Sequence, residues 1–210
     1  MGIPQDWAPY SSVEEAANVY LRDPDLALDQ IRSVIDLSAI KSFIMSRGST
    51  EESWGEPVWQ EVVLTDGQRL IMWRADDELS TDGDRERRIL NASVRTILLS
   101  TITDHVLTAE YEVVGDDTRR LSEVRLRMYT QLVTRSRQKS ATETDIYCES
   151  FRYLKSVDNG GLAQMQRLLQ FGRVLSRCMQ VVRSGFAAAT AKPISNMTSS
   201  CRACSTRRSR

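Results

Sequence analysis

Two strand-like runs on either side of Asp66-Gly67 constrain the fold of this chain more than any other sequence feature. Val58–Leu64 and Gln68–Trp73 are rich in β-branched, aromatic and other apolar residues. An Asp-Gly pair between such runs is typical of a hairpin turn, because glycine accepts the positive φ that a tight turn needs. The sequence therefore predicts a β-hairpin over residues 58–73.

A second hairpin is predicted later in the chain. Residues 108–114 have the composition of a strand, and Gly115-Asp116-Asp117 has that of a turn. Residues 121–134 fit two patterns, because their apolar positions recur at a period of two and also at helical spacing. The nearby turn favours the strand. The alternating positions are Val124, Leu126, Met128, Thr130 and Leu132 against Arg125, Arg127, Tyr129 and Gln131.

Capping signals and helical periodicity predict the other elements. Ser12 and Glu15 match a capping box, and Pro24 suits the first turn of a following helix, so residues 11–48 are predicted to be helical. Apolar spacing predicts three further helices, of which the first would be the central core helix. These three helices would span residues 85–107, 143–156 and 162–184, with an exposed acidic loop at residues 75–84.

These elements predict an α+β fold. Two β-hairpins in one antiparallel sheet would pack with five to six helices in a single domain of residues 1–186, with residues 11–48 as its helical N-terminal part. Residues 187–210 are small, polar and rich in arginine, a composition typical of a disordered basic tail.

The charge distribution is strongly asymmetric although the whole chain is neutral. Residues 151–210 hold 11 basic residues and one acidic residue, Asp158, whereas residues 1–150 hold 17 basic and 27 acidic residues. A basic end of this kind is typical of a contact with nucleic acid or with an anionic surface. The alternative is that the basic end docks on the acidic body of the same or a neighbouring subunit.

Several classes of chemistry lack the residues they need. The chain has one histidine, His105, so a site with two or three imidazole ligands cannot form within it. No P-loop, dinucleotide fingerprint or nucleophile-elbow motif occurs. The sequence therefore predicts no catalytic residues, no metal site and no cofactor. The N-terminus shows no signal-peptide pattern, and no apolar run approaches a membrane span, so we expect an intracellular protein, cytoplasmic or nuclear, that is not secreted.

Two groups of residues are candidates for contacts with partners. The first is a set of arginines that would meet nucleic acid or an acidic partner, and the second is an apolar face on the helix of residues 162–184 that would form an oligomer interface. The arginines are Arg125, Arg127, Arg173, Arg177, Arg202, Arg207, Arg208 and Arg210. The interface residues are Leu168, Phe171, Leu175, Met179 and Val182.

The leading functional hypothesis is a non-enzymatic assembly or regulatory protein that self-associates. Its basic C-terminal region would contact RNA or an acidic protein surface, a profile typical of a small viral structural or accessory protein. A peripheral contact with an anionic membrane remains an alternative partner. Two alternative functions stay open: a nucleic-acid-binding regulator that uses arginines of the folded body, and an enzyme with an unrecognised carboxylate-based site.

The position of the predicted nucleic-acid contact can be tested by truncation. If the basic end carries the contact, a 1–186 variant should lose RNA binding that the full chain shows, and that binding should fall steeply with salt as counterions are released. Fluorescence anisotropy with labelled single- and double-stranded RNA across a salt series measures both effects. Unchanged affinity in the truncated chain would move the contact to the body, and no binding by the full chain at low salt would contradict both hypotheses.

Overall fold

The computed structural model describes residues 5–82, 85–115, 118–131 and 148–190. Its described elements are three α-helices, two short 3-10 turns and seven β-strands, and both sheets are antiparallel. The helices are α1 (Val13–Tyr20), α2 (Pro24–Arg32) and α3 (Gly161–Thr190). The strands are β1 (Ser42–Ser49), β2 (Val58–Thr65), β3 (Arg69–Asp82), β4 (Arg85–Leu98), β5 (Ile102–Val114), β6 (Thr118–Gln131) and β7 (Cys148–Ser156). The 3-10 turns are Leu37–Ala39 and Leu99–Thr101.

The first sheet has the strand order β1-β2-β3-β4 and contains the predicted first hairpin. The prediction of a hairpin around Asp66-Gly67 is confirmed, because β2 pairs with β3 across this turn. Gly67 has a φ of 92°, and the Asp66 carboxylate accepts hydrogen bonds from the backbone N–H groups of Gln68 and Arg69 at 2.8 and 2.7 Å. Both turn residues therefore contribute as their chemistry predicts.

The second sheet has the order β5-β6-β7 and contains the second hairpin. Residues 121–131 are a strand, as the period of two predicted, and they pair with β5 across a turn at Gly115, where φ is 71°. The last predicted positions, 132–134, lie outside the described residues. One face of β6 carries buried Val124, Leu126 and Met128, and the other face carries Arg125, Arg127 and Tyr129.

The predicted fold class, two hairpins in one antiparallel sheet packed with five to six helices, is wrong, because the described strands form two sheets and the described α-helices number three. Three segments predicted as helix form strands: residues 42–48 in β1, 85–98 in β4 with 102–107 in β5, and 148–156 in β7. The predicted acidic loop at 75–82 belongs to β3. Apolar residues in these segments fit helical spacing, but β4 is rich in β-branched residues and pairs with β3 along its whole length. Tertiary strand pairing outweighs the local helical pattern.

Helix α1 is confirmed, whereas the second predicted helix is confirmed only as far as Arg32 and not to residue 48. Both helices lie against the first sheet. The Ser12 hydroxyl accepts a hydrogen bond from the Glu15 backbone N–H at 3.4 Å, as the capping box predicted. Pro24 occupies the first turn of α2, and Gln30 of α2 accepts a hydrogen bond from the indole of buried Trp73 at 2.9 Å. The helices therefore cover the face of the first sheet that bears Trp73.

A polar network fixes the junction between α1 and α2 to the edge of this face. The Arg22 guanidinium donates two hydrogen bonds to the Asp77 carboxylate, one of them 2.7 Å long. Asp77 also accepts a bond from the Val58 backbone N–H at 2.9 Å, and the side-chain carbonyl of buried Gln60 accepts one from the Arg22 backbone N–H at 2.5 Å. The hydrogen bond from Arg22 holds the pKa of Asp77 below its ordinary value.

Helix α3 contacts β1 of the first sheet and all three strands of the second. It confirms the predicted long helix at 162–184 and extends to Thr190, past residue 187 where the tail was predicted to begin. Residues 191–210 lie outside the described part of the chain. No helix within the described ranges is long and apolar enough to cross a membrane.

We predict that Asp77→Asn lowers the free energy of unfolding by about 1–3 kcal/mol, because it leaves the partly buried Arg22 without a charged partner. The two side chains are only 22% and 19% exposed. Since the folded pKa of Asp77 is depressed, its contribution is present above the ordinary carboxyl pKa and is lost as the pH falls through the depressed value. The difference from wild type should therefore shrink in acid.

Urea denaturation across a pH series measures this effect. The matched control is Asp29→Asn, because Asp29 pairs with Arg32 in an ion pair whose side chains are 79% and 50% exposed. The control should change stability by less than about 0.5 kcal/mol. Equal effects of the two substitutions would contradict a structural role for the Arg22–Asp77 pair.

Candidate functional site

A cleft with a volume of about 580 Å³ lies between the first sheet and strand β7 of the second. Its lining combines four aromatic or apolar side chains with charged and polar ones, and its volume lies within the range of about 300–1,000 Å³ found for small-molecule sites. The lining residues are Trp59, Glu61, Met72, Arg74, Ser93, Arg95, Glu149, Ser150, Phe151, Arg152 and Tyr153.

Strand register arranges the wall from the first sheet in rows. Glu61 of β2 lies opposite Arg74 of β3, and Arg74 lies opposite Ser93 of β4. In the next row, Met72 lies opposite Arg95. Because side chains alternate across a strand, these residues share the face that is not covered by α1 and α2.

Alternate residues of β7 form the opposite wall. Glu149, Phe151 and Tyr153 lie at a spacing of two and therefore point to one face of the second sheet. The next residue on that face, Lys155, is buried opposite Val124. Along β7 the wall therefore changes from the charged Glu149 to the aromatic Phe151 and Tyr153, and the buried amine of Lys155 lies just beyond it.

An ion pair joins the two walls at one end of the cleft. The Arg95 guanidinium donates two hydrogen bonds, each 2.5 Å long, to the Glu149 carboxylate. The same guanidinium lies 5.3 Å from the centroid of the Phe151 ring. The hydrogen bonds to Glu149 raise the pKa of Arg95. A bidentate pair of this kind fixes geometry in two directions, so it sets the separation of β4 from β7.

Glu61 is the carboxylate in the cleft that lacks a partner among the described residues. Arg74 faces it across the strands, but that guanidinium bonds to Asp76 on its own strand, at 2.6 and 2.9 Å. Burial raises the pKa of Glu61, and the charges of Arg74 and Lys155 only partly oppose this effect. Glu61 therefore presents a desolvated acceptor to whatever enters the cleft.

Two further polar groups lie next to Glu61. The Tyr153 hydroxyl is buried with no hydrogen-bond partner in the described part of the structure, and burial and the charge of Glu61 raise its pKa well above the ordinary value. Burial lowers the pKa of Lys155 to about 8, and the nearby carboxylates of Asp6 and Glu61 oppose that shift. A buried polar group without a partner costs folding free energy, so the Tyr153 hydroxyl beside the Glu61 carboxyl makes this end of the cleft a candidate site.

The predicted arginines of the folded body do not line this cleft. Arg125 and Arg127 lie on the opposite, outer face of β6, together with Tyr129, as the period of two predicted. Arg125 forms ion pairs with Glu110, at 2.9 Å, and with Glu123. Acidic side chains therefore accompany the arginines on this face. The role of this stripe in nucleic-acid binding stays a prediction.

Helix α3 separates the other predicted residues into an exposed set and a buried set. Arg173 and Arg177 are exposed. The predicted interface residues Leu168, Phe171, Leu175 and Met179 are buried in the core of this chain, and Val182 is half-buried. The oligomer interface stays a prediction, and any contact through the four buried residues would require α3 to leave its sheets. The tail arginines Arg202, Arg207, Arg208 and Arg210 lie outside the described residues.

Sequence analysis missed the cleft-lining residues of β7 because it assigned them to a helix. Phe151, Tyr153 and Lys155 form a period-two pattern that would have indicated a strand. Trp59 and Trp73 occupy opposite faces of the first sheet: Trp73 is fully buried, and Trp59 is 37% exposed at the cleft. Glu61, between two buried strand positions, was the remaining signal in the sequence.

Comparisons with protein-family models, with curated proteins and with solved structures gave no match. Within the described ranges, no three His, Cys, Asp or Glu side chains come together as a group that could hold a metal ion. The cleft is therefore interpreted from its own geometry and electrostatics.

We predict that Glu61→Gln raises the free energy of unfolding at neutral pH by about 0.5–2 kcal/mol, as removal of a functional but destabilising group does. Since the folded pKa of Glu61 is raised, the ionised side chain destabilises the fold above that pKa, and the penalty disappears in acid, where the carboxyl is neutral. Urea denaturation at neutral and at acidic pH measures the stability difference when the carboxyl group is ionised and when it is neutral. The exposed control Glu86→Gln should change little, and a Glu61→Gln variant that is less stable at neutral pH would contradict this account.

Proposed function

We propose that this protein is a non-enzymatic binding protein that holds a small amphiphilic molecule in the cleft between its two sheets. The observation that carries the proposal is the half-buried Glu61 carboxylate in the lining of the cleft, which has a raised pKa and no hydrogen-bond partner among the described residues. A ligand donor at this position would replace the hydrogen bonds that the carboxylate lost on leaving water.

The chemistry of the cleft favours an uncharged ligand with an apolar body. Met72, Phe151 and Trp59 supply apolar and aromatic surface. The guanidiniums of Arg74 and Arg95 are already bonded to carboxylates. The third lining arginine, Arg152, is exposed, so water screens its charge and weakens its attraction for an anionic ligand. Glu61 requires a hydroxyl or N–H donor, which places the polar end of the ligand near β2.

The carboxylate-based enzyme remains a weaker alternative. Glu61 and Glu149 both line the cleft, but Glu149 accepts both of its short hydrogen bonds from Arg95. A carboxylate held in a bidentate ion pair is a poor general base, because its charge is neutralised. This arrangement supports binding over acid–base catalysis.

The predicted contact of the basic C-terminal region with RNA or an acidic partner concerns a different part of the chain. Its support is the concentration of positive charge after residue 150. A ligand-binding cleft and a charged tail are compatible in one regulatory protein, since a ligand can alter the binding of a partner. The assembly or regulatory role is therefore kept as a second proposal.

The cleft proposal predicts binding of N-phenyl-1-naphthylamine, an uncharged fluorescent amphiphile with one N–H donor. Its emission should rise with a saturable dependence on protein concentration. Glu61→Ala should weaken the affinity by about tenfold, the value expected for loss of one hydrogen bond to a charged group. Fluorescence titration of the full chain measures both.

The matched control is Leu154→Ala on the same strand. Leu154 is 43% exposed on the outer face, next to cleft residue Tyr153, so its substitution should leave probe affinity unchanged. Equal probe affinity in the Glu61→Ala variant and the wild type, or no saturable binding by the wild type, would contradict the proposal.

A further inference from the structure

A second cavity, with a volume of about 480 Å³, lies where α1, β1 and α3 meet. It is enclosed by the start of α1, the 3-10 turn at Leu37–Ala39, the start of β1 and one side of α3. It shares no lining residue with the cleft between the sheets. Its polar lining residues are Ser11, Ser12, Glu14, Ser38, Lys41, Ser42, Arg167 and Gln170.

Arg167 is the central feature of this cavity. Its guanidinium lies 4.7 Å from the centroid of the Phe43 ring and 5.6 Å from that of the Trp7 ring. Burial lowers its pKa, and none of the described residues forms a hydrogen bond or ion pair that opposes this effect. The two rings hold the guanidinium in position, because a planar cation stacks well on aromatic faces.

Three other half-buried arginines in the described part of the chain have carboxylate partners. Arg22, Arg69 and Arg125 form ion pairs with nearby carboxylates. Arg167, which has no such partner among the described residues, lines a cavity that Lys41 and several serines also line. An uncompensated, partly desolvated cation in a concave site is an arrangement that favours an anionic ligand.

We propose that this cavity binds a phosphate monoester, with Arg167 and Lys41 as its cationic ligands. A phosphate monoester carries about 1.5–2 negative charges and three strong acceptor oxygens, which match two cations and hydroxyl donors better than a carboxylate does. The volume lies within the range of about 300–1,000 Å³ typical of small-molecule sites, so it leaves room for an organic group beside the phosphate.

One carboxylate in the cavity lining, that of Glu14, repels an anionic ligand. Glu14 accepts a hydrogen bond of 2.9 Å from the Ser12 hydroxyl, which holds it at the start of α1. The described lining carries two cations against one anion, although the Lys41 ammonium lies over Gly67 at the rim and must turn to reach a ligand in the cavity. Ser12 is occupied by this bond and by the helix cap, which leaves the hydroxyls of Ser11, Ser38 and Ser42 as donors.

Isothermal titration calorimetry of the full chain with glycerol 3-phosphate, inorganic phosphate and acetate tests the proposal. Glycerol 3-phosphate should bind at least about tenfold more tightly than acetate, and Arg167→Gln should weaken its binding by about tenfold or more, because charge-assisted hydrogen bonds are lost. The matched control is Arg173→Gln, an exposed arginine on the same helix that does not line the cavity. The control should retain wild-type affinity.

A vesicle-binding experiment distinguishes a lipid headgroup from a soluble phosphate monoester as the ligand. Sedimentation with phosphatidylcholine vesicles, with and without phosphatidic acid, tests whether a lipid carries the monoester. Binding that requires phosphatidic acid and Arg167 would assign the cavity to a lipid headgroup. Binding of soluble glycerol 3-phosphate without vesicle association would assign it to a free metabolite, and either result supports the site.

A second variant keeps the test decisive if Arg167→Gln disturbs the stacked rings. Lys41 is exposed, so Lys41→Gln should leave the thermal transition unchanged and weaken glycerol 3-phosphate binding by about threefold or more. Equal affinity for acetate and glycerol 3-phosphate, wild-type affinity in a folded Arg167→Gln variant, or no binding in any arm would overturn the proposal.

Discussion

The apolar stripe of α3 is the interaction on which the arrangement of the two sheets depends. The described strands of the two sheets share no hydrogen-bond ladder, so backbone pairing does not fix one sheet relative to the other. Met165, Leu168, Phe171 and Leu175 are each fully buried, and α3 contacts β1 as well as β5, β6 and β7. Burial of several large side chains along one helix supplies the non-directional attraction that holds such layers together. Directional contacts then refine the geometry, as His105 does by bonding to Ser176 of α3 at 2.6 Å.

Because α3 covers only part of the inner surfaces, a gap remains where β7 faces the first sheet. The charges in that gap follow from this geometry. Arg95 and Glu149 meet across it and neutralise each other, whereas Arg74 bonds within its own strand and leaves Glu61 unsatisfied. At the candidate site, the apolar residues of α3 do not fill the space between the sheets, and Glu61 has no ion-pair partner among the described residues. Sites with unsatisfied polar groups reduce stability, and proteins keep them where a ligand supplies the missing contact.

The sequence predicts local elements well where the turn chemistry is explicit. Gly67, Gly115, Ser12 and Pro24 each mark a boundary that the structure contains, because their effects act within a few residues. It fails where pairing with a distant strand decides the conformation, as in β4, whose 14 residues pair with β3 although their apolar spacing also fits a helix. The cleft could not be predicted for the same reason: it needs β7 as a strand, and β7 was assigned to a helix. The cavity at Arg167 could not be predicted from the sequence, because the two aromatic rings that hold its guanidinium come from Trp7 and Phe43, which are distant along the chain.

The arginines of β4 also bear on how this protein avoids aggregation. In the described part of the chain, β4 is an outer strand that pairs only with β3, so its other side presents unpaired backbone groups that could template pairing with a second molecule. Charged side chains on an outer strand oppose such pairing, because they bring like charges together when two identical edges approach. Arg87 and Arg88 are neighbouring cations on this strand, and both are exposed. Two copies of β4 that approached edge to edge would therefore have to bring these arginines close together, which disfavours such pairing.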